Sequence, residues 1–287
     1  MRGMKNTFFL LCIVFVLSLF ARSSIWKVSD THHTLFLGGT IHVLRTSDYP
    51  LPEEFDQAYA QSDFVVFETD IALSQSRTFE MMLAKKMLLP PEQTLSQLLT
   101  PQTYHKLGNY LASQGYSNAL FEHMQPWALM MTLTQTTLAK MGIDQNGVDI
   151  FYAQRALKDH KPQKHLESVE EQLAIISEIG KGEEDVLVEQ TLRDMSELNE
   201  TMAWMVRDWR EGKTRRLEDE MVNQMLEESP KMYRLILKNR NDAWMPKLRS
   251  IMDEGKIGFV LVGTMHLLGP DGLLERFRKM GYRVEPF

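Results

Sequence analysis

The sequence predicts an α/β fold, in which a mixed or mostly parallel sheet is formed by the N-terminal and C-terminal halves of the chain around a large helical insertion. Two apolar, β-prone runs at 35–42 and 259–266 end in the same motif, Gly-Thr-x-His. A third apolar run at 63–68 also reads as a buried strand, whereas helix signals dominate the chain between. Because strands from both ends must share one sheet, an inserted helical lobe at about 76–253 is the economical architecture.

The repeated Gly-Thr-x-His motif predicts that His42 and His266 serve one site. Chance supplies roughly 0.03 such motifs in a chain of this composition, so two copies that both follow a strand favour a shared role. In α/β sheets, ligands bind beyond the carboxyl ends of the strands, and a glycine there lets the backbone turn or approach a ligand. The alternative for each histidine is a structural one, a hydrogen bond from a loop imidazole to a neighbouring carbonyl.

The carboxylate of Glu68 ends the third strand, at the same kind of strand end as His42. Two imidazoles and a carboxylate can hold a divalent metal with open coordination positions, or act as general acid and base without one. Glu68 could instead cap the following segment or pair with a lysine. The chain contains neither His-Glu-x-x-His nor Gly-x-Ser-x-Gly, which excludes an ordinary zincin and the usual α/β-hydrolase nucleophile.

The N-terminal residues 1–23 have the pattern of a secretory signal peptide. A short basic segment precedes an almost wholly apolar run at 8–20, and Ala21-Arg22-Ser23 follows. We therefore expect a secreted or periplasmic protein, with a retained membrane anchor as the alternative. The single cysteine, Cys12, lies in this segment, so the mature chain is expected to lack a disulfide and a thiol nucleophile.

Residues 24–287 are expected to form a single domain. The formal net charge of the whole chain is −6, and it becomes −9 when the three cations Arg2, Lys5 and Arg22 are removed. Nucleic-acid binding requires a basic face, so nucleic acid is not an expected partner.

Start and stop signals define the helices in order. Pro52 begins a short helix at 53–61, and the long charged segment 183–211 is a single helix. Other starts are marked by N-caps, N1 prolines or a capping box, at Thr100-Pro101, Gln125-Pro126, Gly147-Val148-Asp149, Ser168 to Glu171, Pro230 and Gly272. Residues 282–284 are expected to form an edge strand.

Together these motifs resemble the TraB/PrgY/GumN family, and the match is collinear from about Trp26 to Val284. The residues that carry the resemblance are Leu37 to His42, Pro50-Leu51-Pro52, Val65 to Glu68, Pro126-Trp127-Ala128, Gly147-Val148-Asp149, Leu166-Glu167, Glu171-Gln172-Leu173, Arg240-Asn241 and Val262 to Leu273.

The resemblance implies an α/β fold shared with erythromycin-esterase-like (EreA) and ChaN-like proteins. The family is similar to Tiki-type proteins, which are described as metal-dependent proteases. Its paired Gly-x-x-His motifs and strand-end glutamate imply that His42, Glu68 and His266 are the active-site residues and metal ligands. Arg240 matches a family arginine, which implies that it stabilises charge in the site.

The function expected from the sequence is that of an exported hydrolase, in its finer form a metal-dependent peptidase, acting on a peptide or small-molecule substrate. The expected cofactor is a divalent ion such as Mn, Co or Zn. Without a metal, the same residues would exchange protons while Arg240 holds an oxyanion or an anionic substrate. The alternative function is non-catalytic binding of a peptide or a haem-like ligand in the same cleft.

Overall fold

The computed structural model describes residues 23–287. Nearly all of the expected signal peptide therefore lies outside the described residues, and that expectation stays a prediction. Among the described residues, no helix has the length and apolar character needed to span a membrane.

The core of the fold is a six-stranded mixed sheet, as predicted. Its spatial order is β6-β4-β7-β2-β1-β8, and β3 and β5 form a separate antiparallel pair. Strands β6, β4, β7 and β2 are parallel, whereas β1 is antiparallel to both of its neighbours. The strands are β1 (Ile25–Ser29), β2 (Thr34–Thr40), β3 (Val43–Arg45), β4 (Phe64–Phe67), β5 (Ile143–Asn146), β6 (Gln163–His165), β7 (Gly258–Gly263) and β8 (Arg283–Pro286).

Helices surround the sheet and fill most of the chain between β4 and β7. They are α1 (Glu53–Gln61), α2 (Ile71–Ser74), α3 (Arg77–Lys86), α4 (Leu95–Leu98), α5 (Pro101–Ser113), α6 (Pro126–Lys140), α7 (Val148–Lys158), α8 (Val169–Ile176), α9 (Glu184–Arg210), α10 (Thr214–Leu217), α11 (Gln224–Glu228), α12 (Pro230–Tyr233), α13 (Asn239–Met252), α14 (Thr264–Leu267) and α15 (Leu273–Lys279). Short 3-10 helices occupy Thr46–Asp48 and Asn118–Leu120, and π-helical turns occupy Glu218–Asn223 and Arg234–Lys238.

Two clusters of buried apolar residues hold the sheet and the helices together. The larger core packs on both faces of the sheet and includes Phe36, Phe259 and Trp209. Burial on both faces explains why β2 and β7 read as continuous apolar runs rather than alternating ones. A smaller core joins α4, α5, α6 and α9 through residues such as Leu129 and Val188.

The two Gly-Thr-x-His motifs lie on adjacent parallel strands at the centre of the sheet. Their register places Gly39 beside Val262 and Thr40 beside Gly263, so the two copies are offset by one residue. Strand β2 ends at Thr40 and the chain continues towards β3, whereas β7 ends at Gly263 and α14 begins at once with Thr264. The same four-residue motif therefore enters two different backbone environments.

Two strands lie within the segment that the sequence interpretation assigned to helices. Strand β6 has the sequence Gln-Lys-His and pairs with β4 at the sheet edge, and β5 pairs with β3. A short polar edge strand carries no apolar period, so its sequence gives no strand signal. The position of β6 matters because Glu167 follows it, at the same carboxyl edge as Glu68.

Candidate active site

The four residues predicted for the site lie together at the carboxyl edge of the parallel strands. His42 follows β2, Glu68 follows β4 and His266 follows β7. A Cβ atom placed on Gly263 would lie 3.3 Å from Glu68 Oε1, 3.7 Å from His42 Nε2 and 3.7 Å from His266 Cδ2. Three side chains therefore surround one point above the centre of the sheet, and Arg240 from α13 completes the cluster.

His42 lies at the open side of the cluster, with 62% of its side chain exposed, and Asp149 orients its ring. The Nδ1 atom is 3.2 Å from Asp149 Oδ2. Asp149 is the second residue of α7 and follows Gly147 by two positions; a Cβ added to Gly147 would lie 2.3 Å from the backbone of Ile41 and His42. Only glycine allows the two loops to cross so closely, so Gly147 is what brings Asp149 to His42.

Asp149 also sets the charge of His42. Partial loss of water around the ring lowers the pKa of His42, but the hydrogen bond and the charge of Asp149, together with the charge of Glu68, outweigh this effect. They raise the pKa to about 9, so His42 is a cation at neutral pH. Because most of the ring is exposed, solvent screens the ion pair and its contribution to stability is small.

His266 is the opposite case, a buried and neutral imidazole. Its Nδ1 is 2.8 Å from Asn241 Oδ1, and both amide hydrogens of Asn241 are donated to carbonyl oxygens, of His266 and Asp271. Asn241 Oδ1 must therefore accept, which places the proton of His266 on Nδ1. The Nε2 atom accepts from Arg240 Nη1 at 3.0 Å. Burial, together with the charge of Arg240, lowers the pKa of His266 to about 3 despite the opposing charge of Glu68.

Arg240 connects the members of the cluster. Its Nε and Nη2 bind both oxygens of Glu167, its Nη2 also donates to Glu68 Oε2 at 2.6 Å, and its Nη1 donates to His266. The remaining Nη1 hydrogen points towards the Ile236 carbonyl oxygen, 3.5 Å away. All five N–H groups are thus directed at protein acceptors, and none is free to hold an oxyanion in this arrangement.

The two carboxylates that share Arg240 differ in pKa. Burial raises the pKa of Glu68, but the charge of Arg240 and the hydrogen bond from the Gly263 N–H, 2.7 Å from Oε1, help to hold it far below its usual range. Burial also raises the pKa of Glu167, and there the hydrogen bonds and charge of Arg240 offset the effect only in part. Glu68 is therefore the firmly ionised carboxylate of the site.

A metal ion shared by His42, Glu68 and His266 does not fit this arrangement. The single lone pair of His266 Nε2 points at Arg240, and Glu68 Oε2 accepts from the same guanidinium. A cation bound by both residues would lie against another cation. Within residues 23–287 no group of three or more His, Cys, Asp or Glu side chains is placed to hold a metal ion. A metal site would require Arg240 to move away from His266.

Sequence reasoning did not assign Asp149, Glu167 and Asn241 to the site. Each of them fixes a predicted site residue: Asp149 contacts His42, Glu167 contacts Arg240, and Asn241 contacts His266. All three residues lie within the short motifs that carry the family resemblance. Membership of these motifs is the sequence feature that could have identified them.

The fold and the cluster define an α/β protein with a polar site at the carboxyl edge of its parallel strands. The model of the TraB/PrgY/gumN family matches residues 24–286, so the chain belongs to this family. Similar proteins are "Uncharacterized protein YbaP" of Escherichia coli (strain K12) and its Shigella flexneri namesake. Each is 26% identical over 84% of this chain and 86% of its own length.

A third relative is "Metalloprotease TIKI1" of Danio rerio, which is 24% identical over 87% of this chain. The alignment covers 60% of that protein's length. No solved structure matches the chain. The family and this distant relative allow a hydrolase.

Proposed function

We propose that this chain is a hydrolase that cleaves an amide or ester bond in a peptide-like substrate, with His42 as the proton-transfer residue. The observation that supports this most directly is the orientation of the His42 ring. Asp149 binds Nδ1, and among the described residues Nε2 has no hydrogen-bond partner and faces the cluster around Gly263. An exposed imidazole held by a carboxylate, with its second nitrogen free, is suited to general acid-base catalysis.

In this proposal Glu68 acts on the attacking water molecule and His42 acts on the leaving group. Glu68 orients a water molecule and receives its proton as the oxygen attacks the carbonyl carbon. The protonated Nε2 of His42 then gives its proton to the departing nitrogen or oxygen, and the C–N or C–O bond breaks. Transfer of the proton from Glu68 to His42 through solvent restores the site. Since the pKa of Glu68 is low, it is a weak base, so proton donation by His42 is the larger contribution.

Metal-dependent peptide cleavage remains the finer form of the prediction. The relative named as a metalloprotease supports it. The expected divalent ion, Mn, Co or Zn, would be held by His42, Glu68 and His266 after Arg240 had released His266, and it would supply an activated water molecule.

Location and partners also remain proposals. Export rests on residues 1–23, and we expect N-terminal sequencing of protein from its native host to begin within a few residues of Ser24. An intact Met1 in the membrane fraction would select the anchored alternative, and an intact Met1 on cytoplasmic protein would exclude export. A peptide or small-molecule substrate is proposed, and nucleic acid is not.

The experiment that tests the function is hydrolysis of a peptide library by residues 24–287, followed by mass spectrometry. We expect cleavage by the unmodified chain and at least a hundredfold loss in His42→Ala, because general acid-base groups contribute about 10²–10⁴-fold. His105→Ala, which changes an exposed histidine of α5, is the matched control. Ligand binding without any cleavage would contradict the proposal and favour the binding protein.

The same assay, repeated with and without metal ions, distinguishes metal-independent proton transfer from metal-dependent cleavage. The chain is assayed after chelation and after addition of Mn²⁺, Co²⁺ or Zn²⁺. Activity that survives chelation supports proton transfer by His42 and Glu68 alone. Activity that is lost and then restored by one ion supports the metal-dependent form, and metal analysis of the purified chain then gives the stoichiometry.

A further inference from the structure

A cavity adjoins the cluster at the outer end of the parallel edge, between α8 and the helix that carries Arg240. Its volume is 330 Å³. It shares Arg240 and Glu167 with the site, and Trp244 links the two regions. The Trp244 ring lies 4.4 Å from the His266 ring and 4.7 Å from the Arg240 guanidinium, centre to centre, and it also lines the cavity.

The strand order explains why the cavity and the cluster are neighbours. The carboxyl ends of β2, β7, β4 and β6 follow one another along a single edge of the sheet. His42, His266 and Glu68 follow the first three strands, and the cavity opens beyond the fourth. A substrate lying across this edge, with its reacting bond at His42, would reach the cavity with a group on one side.

The lining shows which chemical group fits. Its aliphatic part comes from Leu166, Ala174, Ile175, Leu235 and Ala243. The charged groups already have partners in the protein: Glu167 binds Arg240, Glu171 accepts from the Ser168 N–H, and Lys247 donates to the Leu166 carbonyl oxygen. A charged ligand would give up much of its hydration among these aliphatic side chains, whereas an apolar group only displaces water.

Two alanines on facing helices leave the space open. Ala174 lies on α8 and Ala243 on α13, and both are exposed. The volume is at the lower end of the range of about 300–1,000 Å³ for ligand pockets, so it suits one side group rather than an extended ligand.

We propose that this cavity is the specificity pocket of the enzyme and takes an uncharged aliphatic or aromatic side chain of the substrate. The proposal rests on the proposed hydrolase function, because it names the substrate group that the same site selects. It makes Ala243 and Ala174 specificity-determining residues.

Binding can be measured without turnover. The probes are N-acetyl amino-acid amides of glycine, leucine, phenylalanine, glutamate and lysine, tested by ligand-observed NMR on residues 24–287 carrying His42→Ala. We expect the leucine and phenylalanine amides to bind at least about tenfold more tightly than the other three, because a buried apolar group discriminates by this order.

Filling the cavity is the decisive comparison. Ala243→Phe should abolish the preference for leucine and phenylalanine amides, and Ala174→Leu should weaken it. Ala139→Phe, on an exposed position of α6, should leave it unchanged. Thermal melting checks that each variant folds. Equal binding of all five amides, or an unchanged preference in both filled variants, would overturn the specificity pocket.

Failure of the pocket and failure of the hydrolase can be told apart. A preference that disappears in Ala243→Phe, with no peptide cleaved by the unmodified chain, would support the pocket and reject the hydrolase. Cleavage without a preference for apolar side chains would support the hydrolase and reject the specificity pocket.

Discussion

The Thr264 hydroxyl donates a buried hydrogen bond to the carbonyl oxygen of Thr40, 3.0 Å away. Each threonine belongs to one copy of the Gly-Thr-x-His motif. A Cβ on Gly39 would lie 2.8 Å from the Thr264 hydroxyl, so glycine is required for this approach. The Gly-Thr part of the motif thus links the ends of the two strands, next to the loop that carries His42 and the short helix α14 that carries His266.

Thr264→Val should lower the free energy of unfolding by about 1 kcal/mol, because it removes one buried hydrogen bond while keeping the side-chain shape. Urea unfolding measures the change. Thr78→Val, at an exposed position of α3, is the control and should have little effect. An unchanged urea midpoint in Thr264→Val would show that the hydrogen bond does not hold the motifs together.

Asp149→Asn should lower the pKa of His42 from about 9 towards 6.5, because the anion that favours the imidazolium is removed. NMR titration of the imidazole protons measures this. Since the folded-state pKa is raised, the stabilising contribution is fully present below about pH 6.5 and is lost as the pH rises through about 9. The stability difference between the two proteins should therefore shrink above pH 9.

The control for this titration is Asp144→Asn, an exposed aspartate of β5. It should leave the His42 titration unchanged. A His42 pKa that stays near 9 in Asp149→Asn would assign the shift to another group.

Arg240→Lys should destabilise the fold by several kcal/mol as well as reduce activity. Arg240 is the cation between two buried carboxylates, with side chains 10% exposed for Glu68 and 6% for Glu167, and lysine cannot form the same planar fork. Breaking a buried ion pair costs about 3–5 kcal/mol when one partner is removed, which sets the upper limit for the conservative change. Arg249→Lys, at an exposed position of the same helix, is the control. Unchanged stability with lost activity would instead place Arg240 in direct contact with substrate.

Gly263→Ala should reduce activity strongly while the protein stays folded. The backbone of Gly263 has φ of −49° and ψ of 134°, a negative φ that does not require glycine. Its methyl group would enter the centre of the cluster, 3.3 Å from Glu68 Oε1 and 3.7 Å from His42 Nε2. Peptide hydrolysis and thermal melting together test this. Full activity would show that substrate and water do not use that space.

The sequence correctly predicted those helices and strands whose signals lie within a few neighbouring residues. Helix α1 begins at Glu53 and ends at Gln61 as predicted, and the Ser168 capping box forms with Glu171. The edge strand at the C-terminus is also present, as β8. In each case the signal is a cap, a proline or an apolar run whose partners lie within a few residues.

The partners of the site residues could not be derived in this way. Asp149 meets His42 across 107 residues, and Glu167 meets Arg240 across 73. Such contacts depend on strand order and loop crossings, which no local pattern encodes. The one-residue offset between β2 and β7 is a further example. Different long-range partners likewise make His42 exposed and charged and His266 buried and neutral, although the two motifs are alike.

The central pairing of β2 with β7 also determines when the site can form during folding. The Thr40–Thr264 contact spans 224 residues, so a long loop must close before the two strands meet. Contacts of such high contact order form slowly, and helices that depend on near neighbours form first. In refolding experiments, far-ultraviolet circular dichroism should recover early, while the NMR signals of the His42 and His266 imidazoles should appear only in the slowest phase.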